Sequence, residues 1–254
     1  YGSRGSNGVI IITTKKGRKG QKPQVSYNGS MTISTKKKTL DVLDGDEYRA
    51  LIKNMYGTES DAYKALGTAN TDWQDLIYRT AISHDHNVTV SGATKNLPYR
   101  VSLGYTDQEG ILKNSDFQRA TASFNLSPSL FKDHLNINLN GKGMYAHSKF
   151  PNGDAISAAV QMDPTQSPYA YTSEYHKNLL GSSADQMIKD FGGYFQWTTD
   201  GAALKDPSWP YTYNTNAPKN PLSVLDYSTE TAHSRSFVGS ADIDFKVHGF
   251  EDLR

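Results

Sequence analysis

Long stretches that alternate strictly between apolar and polar residues constrain this chain more than any other feature. In VSYNGSMTIST, Val25, Tyr27, Gly29, Met31 and Ile33 share one parity, and Ser26, Asn28, Ser30, Thr32 and Ser34 share the other. Successive side chains of a strand point to opposite faces, so this pattern predicts a strand with one greasy and one wet face. The pattern recurs. Val88 and Val90 alternate with Asn87, Thr89 and Ser91, and Tyr99, Val101, Leu103 and Tyr105 with Arg100, Ser102 and Thr106. Ala120, Ala122, Phe124 and Leu126 oppose Thr121, Ser123 and Asn125, while Leu135, Ile137 and Leu139 oppose Asn136, Asn138 and Asn140. The last stretch sets Phe237, Ala241, Ile243, Phe245 and Val247 against Ser236, Ser240, Asp242, Asp244 and Lys246. These stretches predict about six two-faced strands and an all-β fold.

A soluble antiparallel sheet produces the same alternation. Two features point instead to a membrane barrel. The strands read as about ten residues or longer, against a usual length of about 5–6, and about ten tilted residues match the ~25 Å apolar band of an outer-membrane barrel. The connections also alternate in length: 96–98 and 128–134 are short and 36–83 and 148–232 are long, with 110–118 intermediate. Short turns on one side and long loops on the other are the habit of such barrels, whose interior is wet.

The remaining sequence narrows the alternatives. A net charge of +1 gives no electrostatic case for nucleic acid, and no apolar run of eighteen residues offers a helical span. With no Cys, disulfide frameworks and thiolate metal sites are excluded. The opening YGSRGSNGVIIITTKKG sets Gly2, Gly5 and Gly8 three apart, ahead of the apolar run Val9–Ile12. That spacing fits neither phosphate-loop pattern, and a tight turn feeding a strand greasy on both faces accounts for it better. His84 and His86 could face a metal together, but no third ligand stands nearby, and a solvated strand end is the simpler reading. Asp107 and Glu109 are two loop carboxylates without a shaped cleft, so no glycosidase pair follows. Enzyme motifs such as G-x-S-x-G, H-E-x-x-H and C-x-x-C do not occur.

The long connections carry their own signals. In DVLDGDEYRALIKNMYG, Asp44 can cap a helix with Glu47 three residues on. Tyr48, Leu51, Ile52 and Met55 then share a face that would pack on the sheet's rim. Residues 148–232 hold seven of the ten Pro and two of the three Trp, which predicts an ordered loop with little strand. Of its aromatics, Trp197, Trp209 and Tyr211 are the candidates for contact with a ligand or partner. Loop aromatics suit sugar or peptide recognition, but they also anchor a loop to itself, and anchoring is the preferred reading here.

Five stretches carry a family resemblance in order along the chain: YGSRGSNGVIIITTKKG; LDGDEYRALI; TDWQDLIYRTA with HNVTVSGAT; YRVSLGYTDQEGILKNSDFQRATASFNL; and NPLSVLDY. Together they resemble the SusC/RagA form of TonB-dependent outer-membrane transporters. The resemblance implies that residues 1–20 end a plug domain, with Gly2, Arg4, Gly5, Asn7 and Gly8 as its motif. Residues 21–254 would then be the N-terminal part of a transmembrane β-barrel of about 22 strands, with extracellular loops near 36–83 and 148–232. It further implies a Gram-negative outer membrane and its lipid as surroundings, and no cofactor. An oligosaccharide or peptide would be taken up with a SusD-like surface lipoprotein, and TonB would act through a segment upstream of Tyr1. The alternatives are a TonB-dependent siderophore or vitamin receptor, and a soluble all-β carbohydrate-binding module whose apolar parities would meet in a two-sheet sandwich.

Overall fold

A computed structural model describes residues 17–174, 178, 184–198, 214 and 216–247. The plug motif and the strand expected at Val9–Thr14 lie outside the described residues, as do Trp209 and Tyr211.

Seven strands form one sheet. These are β1 (Gln24–Ser34), β2 (Ala81–Thr94), β3 (Leu97–Glu109), β4 (Asp116–Leu126), the two-residue β5 (Ser129–Leu130), β6 (Leu135–Pro151) and β7 (Thr229–Phe245). Every pairing is antiparallel, in the order β1-β2-β3-β4-β6, with β5 and β7 both pairing with β6. The six long strands correspond to the six alternating stretches, and at 11–17 residues they match the expected length. A sandwich would need a second sheet to cover the apolar parity. Among the described residues all strands share one sheet, so the soluble-module alternative falls.

Register carries each parity across the sheet. One row runs Tyr27, Val88, Leu103, Ala122, Gly143, Phe237, and its neighbour Val25, Val90, Val101, Phe124, Gly141, Gly239. The opposite face carries Gln24, Ser91, Arg100, Asn125, Asn140 and Ser240 in one row. There the side chains form a ladder: Asn125 Nδ2 donates to Asn140 Oδ1 at 2.6 Å and to Asn138 Oδ1 at 3.1 Å, and Asn140 Nδ2 donates to Ser240 Oγ at 3.2 Å. Among the described residues, the apolar middle of the greasy face carries no such ladder. Leu103 is 58% exposed and Ile243 68%. On that face the Phe124 ring lies over Gly141, where a Cβ would come within 2.4 Å of it. A bare glycine thus gives the ring its seat.

The turns are tight at one end of the sheet. Lys95 between β2 and β3 has φ 48°, and Phe131, Lys132 and Asp133 before β6 all have positive φ. Asp133 accepts from Lys19 and Ser129, which hold its carboxyl below the usual range. At the other end lie two long connections. Residues 35–80 join β1 to β2 and hold α1 (Gly45–Tyr56), α2 (Asp61–Lys64) and α3 (Trp73–Ile77). Residues 152–228 join β6 to β7 and hold α4 (Asp154–Gln161), α5 (Ala184–Asp190) and α6 (Pro221–Tyr227). The strands begin and end further into these connections than the alternation suggested: β2 starts at Ala81 and β7 at Thr229.

These two connections leave from opposite sides of the described sheet, yet they build a single core. Trp73 and Ile77 from the first pack with Ala155, Ala159, Met162, Tyr171, Met187, Phe191, Phe195, Leu222 and Leu225 from the second. The shorter 110–115 turn joins them, since Asn114 Nδ2 donates to Leu225 O at 3.0 Å and Lys113 N to Ile77 O at 3.0 Å. That tie explains how a modest connection suffices between β3 and β4. We refer to the whole assembly as the cap.

Candidate functional site

The cap is stitched by backbone and by short polar side chains. Ala69 N donates to Thr165 O at 3.0 Å, Thr71 N to Pro164 O at 2.8 Å, and Gly67 N to Thr165 Oγ1 at 2.9 Å. Thr71 Oγ1 donates to Gln166 O at 2.7 Å, Ser173 Oγ to Lys64 O at 2.8 Å, and the buried Trp73 indole N–H to Asp163 O at 2.9 Å. Gly67 is required for this approach. A Cβ there would lie 2.2 Å from Thr165 O.

α1 forms where the capping box predicts it, with Asp44 accepting from Asp46 N and Glu47 N while Glu47 reaches back to Asp44 N. Its packing departs from expectation. Leu51 and Met55 are exposed, and only Tyr48 and Ile52 of the predicted face turn inward, to a cleft. Polar contacts fix the helix instead. Arg49 Nη1 donates to Gly67 O and Ala69 O, both at 2.9 Å, and Gly45 N donates to Asn70 Oδ1 at 2.8 Å. With its anchorage on the Arg49 side, α1 does not need its apolar face for attachment.

Between α1, the segment 39–43 and the C-terminal end of α4 with residues 162–164 lies an open cleft of about 1000 Å³. Its aromatic walls are Tyr48, Trp73 and Trp197, and Asn70, Thr71 and Gln74 supply polar edges. Gln74 locks the 39–43 wall in place by pairing with both backbone groups of Leu40, at 3.0 Å and 2.8 Å. Burial and then the nearby Asp163 carboxylate push the Tyr48 hydroxyl up in pKa, so it stays a neutral donor at physiological pH. Apolar faces with convergent amide, hydroxyl and carboxylate groups suit a small polar ligand.

Trp197, singled out from the sequence, lines this cleft and also packs edge-on to Phe195 at 5.1 Å between ring centres. Tyr48, Gln74 and the 39–43 wall were missed. The capping box located α1, but nothing local shows that residues 67–74 pair with residues about a hundred positions later.

The other sequence candidates have structural partners. His84 and His86 lie 5.6 Å apart between ring centres on the greasy parity of β2, and His86 Nδ1 sits 2.6 Å from the Tyr27 hydroxyl. No group of three or more metal-binding side chains occurs among the described residues. Asp107 accepts from Tyr105 and Gln118, each at 3.3 Å, and Glu109 faces Arg79 at 3.8 Å. Arg79 also bonds Asp116 at 2.8 Å and the carbonyls of Gly110 and Ser115, which closes the β3–β4 turn.

No family model matches the chain. It is 50% identical over 255 residues to the TonB-dependent receptor SusC of Bacteroides thetaiotaomicron, covering 100% of this chain and 24% of that protein. It is 36% identical over 194 residues to the TonB-dependent receptor P3 of Formosa agariphila, covering 73% of this chain and 19% of that one. The chain thus spans about a quarter or less of the length of these relatives. Among solved structures, the RagAB peptide importer in its closed-closed state aligns with a TM-score of 0.55 at 18% identity, over 96% of this chain and 28% of that chain. Its open-open state aligns with a TM-score of 0.53 at 17% identity, over 94% and 28%. The structural likeness supports the fold: the sheet is part of a large antiparallel transmembrane barrel, with its greasy parity outward. The sequence likeness runs through strands, turns and cap alike, and the chain belongs to the SusC/RagA family of TonB-dependent receptors.

Proposed function

We propose that the protein containing this chain imports an oligosaccharide or a peptide across the outer membrane of a Gram-negative bacterium, driven through TonB and assisted by a SusD-like surface lipoprotein. In this reading residues 1–20 end the plug, residues 21–254 open the barrel, and the cap stands on the extracellular side. The observation that carries it is the 50% identity to a TonB-dependent receptor across the whole chain. The cleft then serves as a contact point on the way in. Trp197 and Tyr48 offer aromatic faces to a sugar ring or peptide side chain, while Asn70 offers its amide at the edge and Gln74 holds the wall in place. Trp209 and Tyr211 join the same proposal as loop aromatics.

The test uses the full-length receptor in its native membrane. Uptake of labelled oligosaccharides and oligopeptides is measured in cells with and without TonB, and with Tyr48→Ala or Trp197→Ala. Uptake of one class that vanishes without TonB and falls several-fold in the variants, at unchanged receptor abundance, supports the reading. Uptake indifferent to TonB contradicts it, and indifference to both variants removes the cleft from the path.

A further inference from the structure

We propose that the loop end of β6 and β7 carries, on the lipid-facing side of the barrel, a binding site for the phosphate of an anionic lipid headgroup. The inference rests on the reading that the cap is extracellular, which places this end of the strands at the outer leaflet.

Parity is the first argument. On β6 the outward residues run Leu135, Ile137, Leu139, Gly141, Gly143, and then change character to Tyr145, His147 and Lys149. On β7 their partners run Phe245, Ile243, Ala241, Gly239, Phe237, and then Arg235 and His233. β7 turns from apolar to basic at Arg235, opposite Tyr145, and β6 at the next outward pair, where His147 stands opposite His233.

Length is the second. From Leu135 to Tyr145 is ten residues, or about 34 Å along a strand at ~3.4 Å each, which a tilt of ~40° reduces to about 26 Å of membrane depth. That matches an apolar band of about 25 Å. The cationic groups therefore fall where hydrocarbon gives way to headgroups.

Charge is the third. The carboxylates on this parity stand on β3 and β4 and are engaged there: Asp116 and Glu109 by Arg79, and Asp107 by Tyr105 and Gln118. Among the described residues, Arg235 and Lys149 have no ion pair with a carboxylate. Arg235 instead lies 5.6 Å from the Tyr145 ring centre, and Lys149 Nζ lies 3.5 Å from Asn114 Oδ1. Beside them His147 and His233 stack at 4.5 Å between ring centres, and the Tyr145 hydroxyl sits 3.1 Å from His233 Nδ1. A guanidinium, an ammonium, two imidazoles and a phenol, oriented against one another at this depth, offer a phosphate several donors. Two imidazoles alone are too few for a metal site.

The full-length receptor is placed in phosphatidylcholine nanodiscs containing either bis-phosphorylated lipid A or its dephosphorylated form. Bound lipid is counted by native mass spectrometry, and the unfolding midpoint is recorded. The phosphorylated lipid should be retained and raise the midpoint, with neither effect from the dephosphorylated lipid or from inorganic phosphate. The pair Arg235→Gln with His233→Gln should weaken retention by about tenfold. Lys142→Gln, which removes a cation from the opposite face of β6, should leave it unchanged. Equal retention of both lipids, or by the double variant, overturns the headgroup site while leaving the barrel intact. A receptor that does not enter the bilayer overturns the barrel reading and the site together.

Discussion

The sheet and the cap solve the burial problem in opposite ways. Nearly every buried apolar residue among those described belongs to the cap, with Ala81 and Ala146 the exceptions on strands. Phe195, Ile77, Met187 and Leu225 are almost wholly enclosed there, alongside the buried amides Gln166, Gln196 and Asn220. The sheet leaves Val25, Leu103, Phe237 and Ile243 open on one face and arranges Asn, Ser and Thr on the other. The cap thus generates its own apolar interior, as a water-soluble unit must. The sheet lacks one and takes its apolar contacts from lipid, so its ladder of backbone bonds determines order while the membrane supplies the burial. The two regions should accordingly respond to different insults.

The largest effect is expected in the cap. Replacing Trp73 by Ala removes the indole from the shared core and its bond to Asp163 O, and should cost about 3–5 kcal/mol of cap stability. Limited proteolysis of the full-length receptor in membranes should then cut within 35–80 or 152–228 while the strands stay protected. Damage spreading to the strands would show that cap and sheet fold as one unit.

In the sheet, Leu139→Arg should cost ~2–4 kcal/mol, since Leu139 lies near the middle of the Leu135–Tyr145 band and so near the bilayer midplane, and Asn138→Arg much less because that face is wet. Denaturant titration in lipid vesicles checks the pair, and equal losses would erase the distinction between faces. Gly67→Ala forces a Cβ against Thr165 O and should cost about 1–3 kcal/mol, confined to the seam between the two long connections. Hydrogen exchange at Ala69 and Thr71 would report it, and unchanged protection there would mean that the seam can give.

The smallest effect concerns pH. Lys36 Nζ donates to Asp75 at 2.5 Å, lowering the carboxyl and raising the ammonium relative to their ordinary values. For the depressed carboxyl, the stabilisation is present above its unfolded value near about 4 and is lost as pH falls through the folded one. For the raised ammonium, it is present below about 10 and is lost as pH rises through the folded value. Asp75→Asn should therefore cost a little at pH 7 and less below pH ~4, Asp75 being exposed and Lys36 partly so. A difference that grew in acid would reverse the sign.

The strands were legible wherever one face meets lipid and the other water, because only there does selection by environment alternate residue by residue. Beyond the band both faces are wet and the pattern dissolves: His84, Asp85 and His86 are all polar, yet β2 continues through them on backbone pairing, with polar cross-strand contacts from His86 to Tyr27 and from Thr106 to Asp85. β6 likewise runs to Pro151, well past the Leu135–Leu139 alternation. In the cap, α1 was legible from its capping box, and α6 carries an equally local signal in the Asn220 cap and Pro221 at its first turn, which went unread. The cleft was not legible. It depends on Gly67 meeting Thr165 and on Gln74 holding Leu40, contacts that carry no local periodicity.

The central claim is that one parity of the sheet meets lipid and the other a wet interior. Since this stretch has no native Cys, single thiols at Leu103→Cys, Ile243→Cys, Ser102→Cys and Asp242→Cys can each carry a fluorophore in the full-length receptor, once any thiols elsewhere in it are removed. The account predicts quenching at 103 and 243 by a lipid-tethered quencher and not by iodide, with the reverse at 102 and 242. Equal quenching of both pairs by iodide would contradict it.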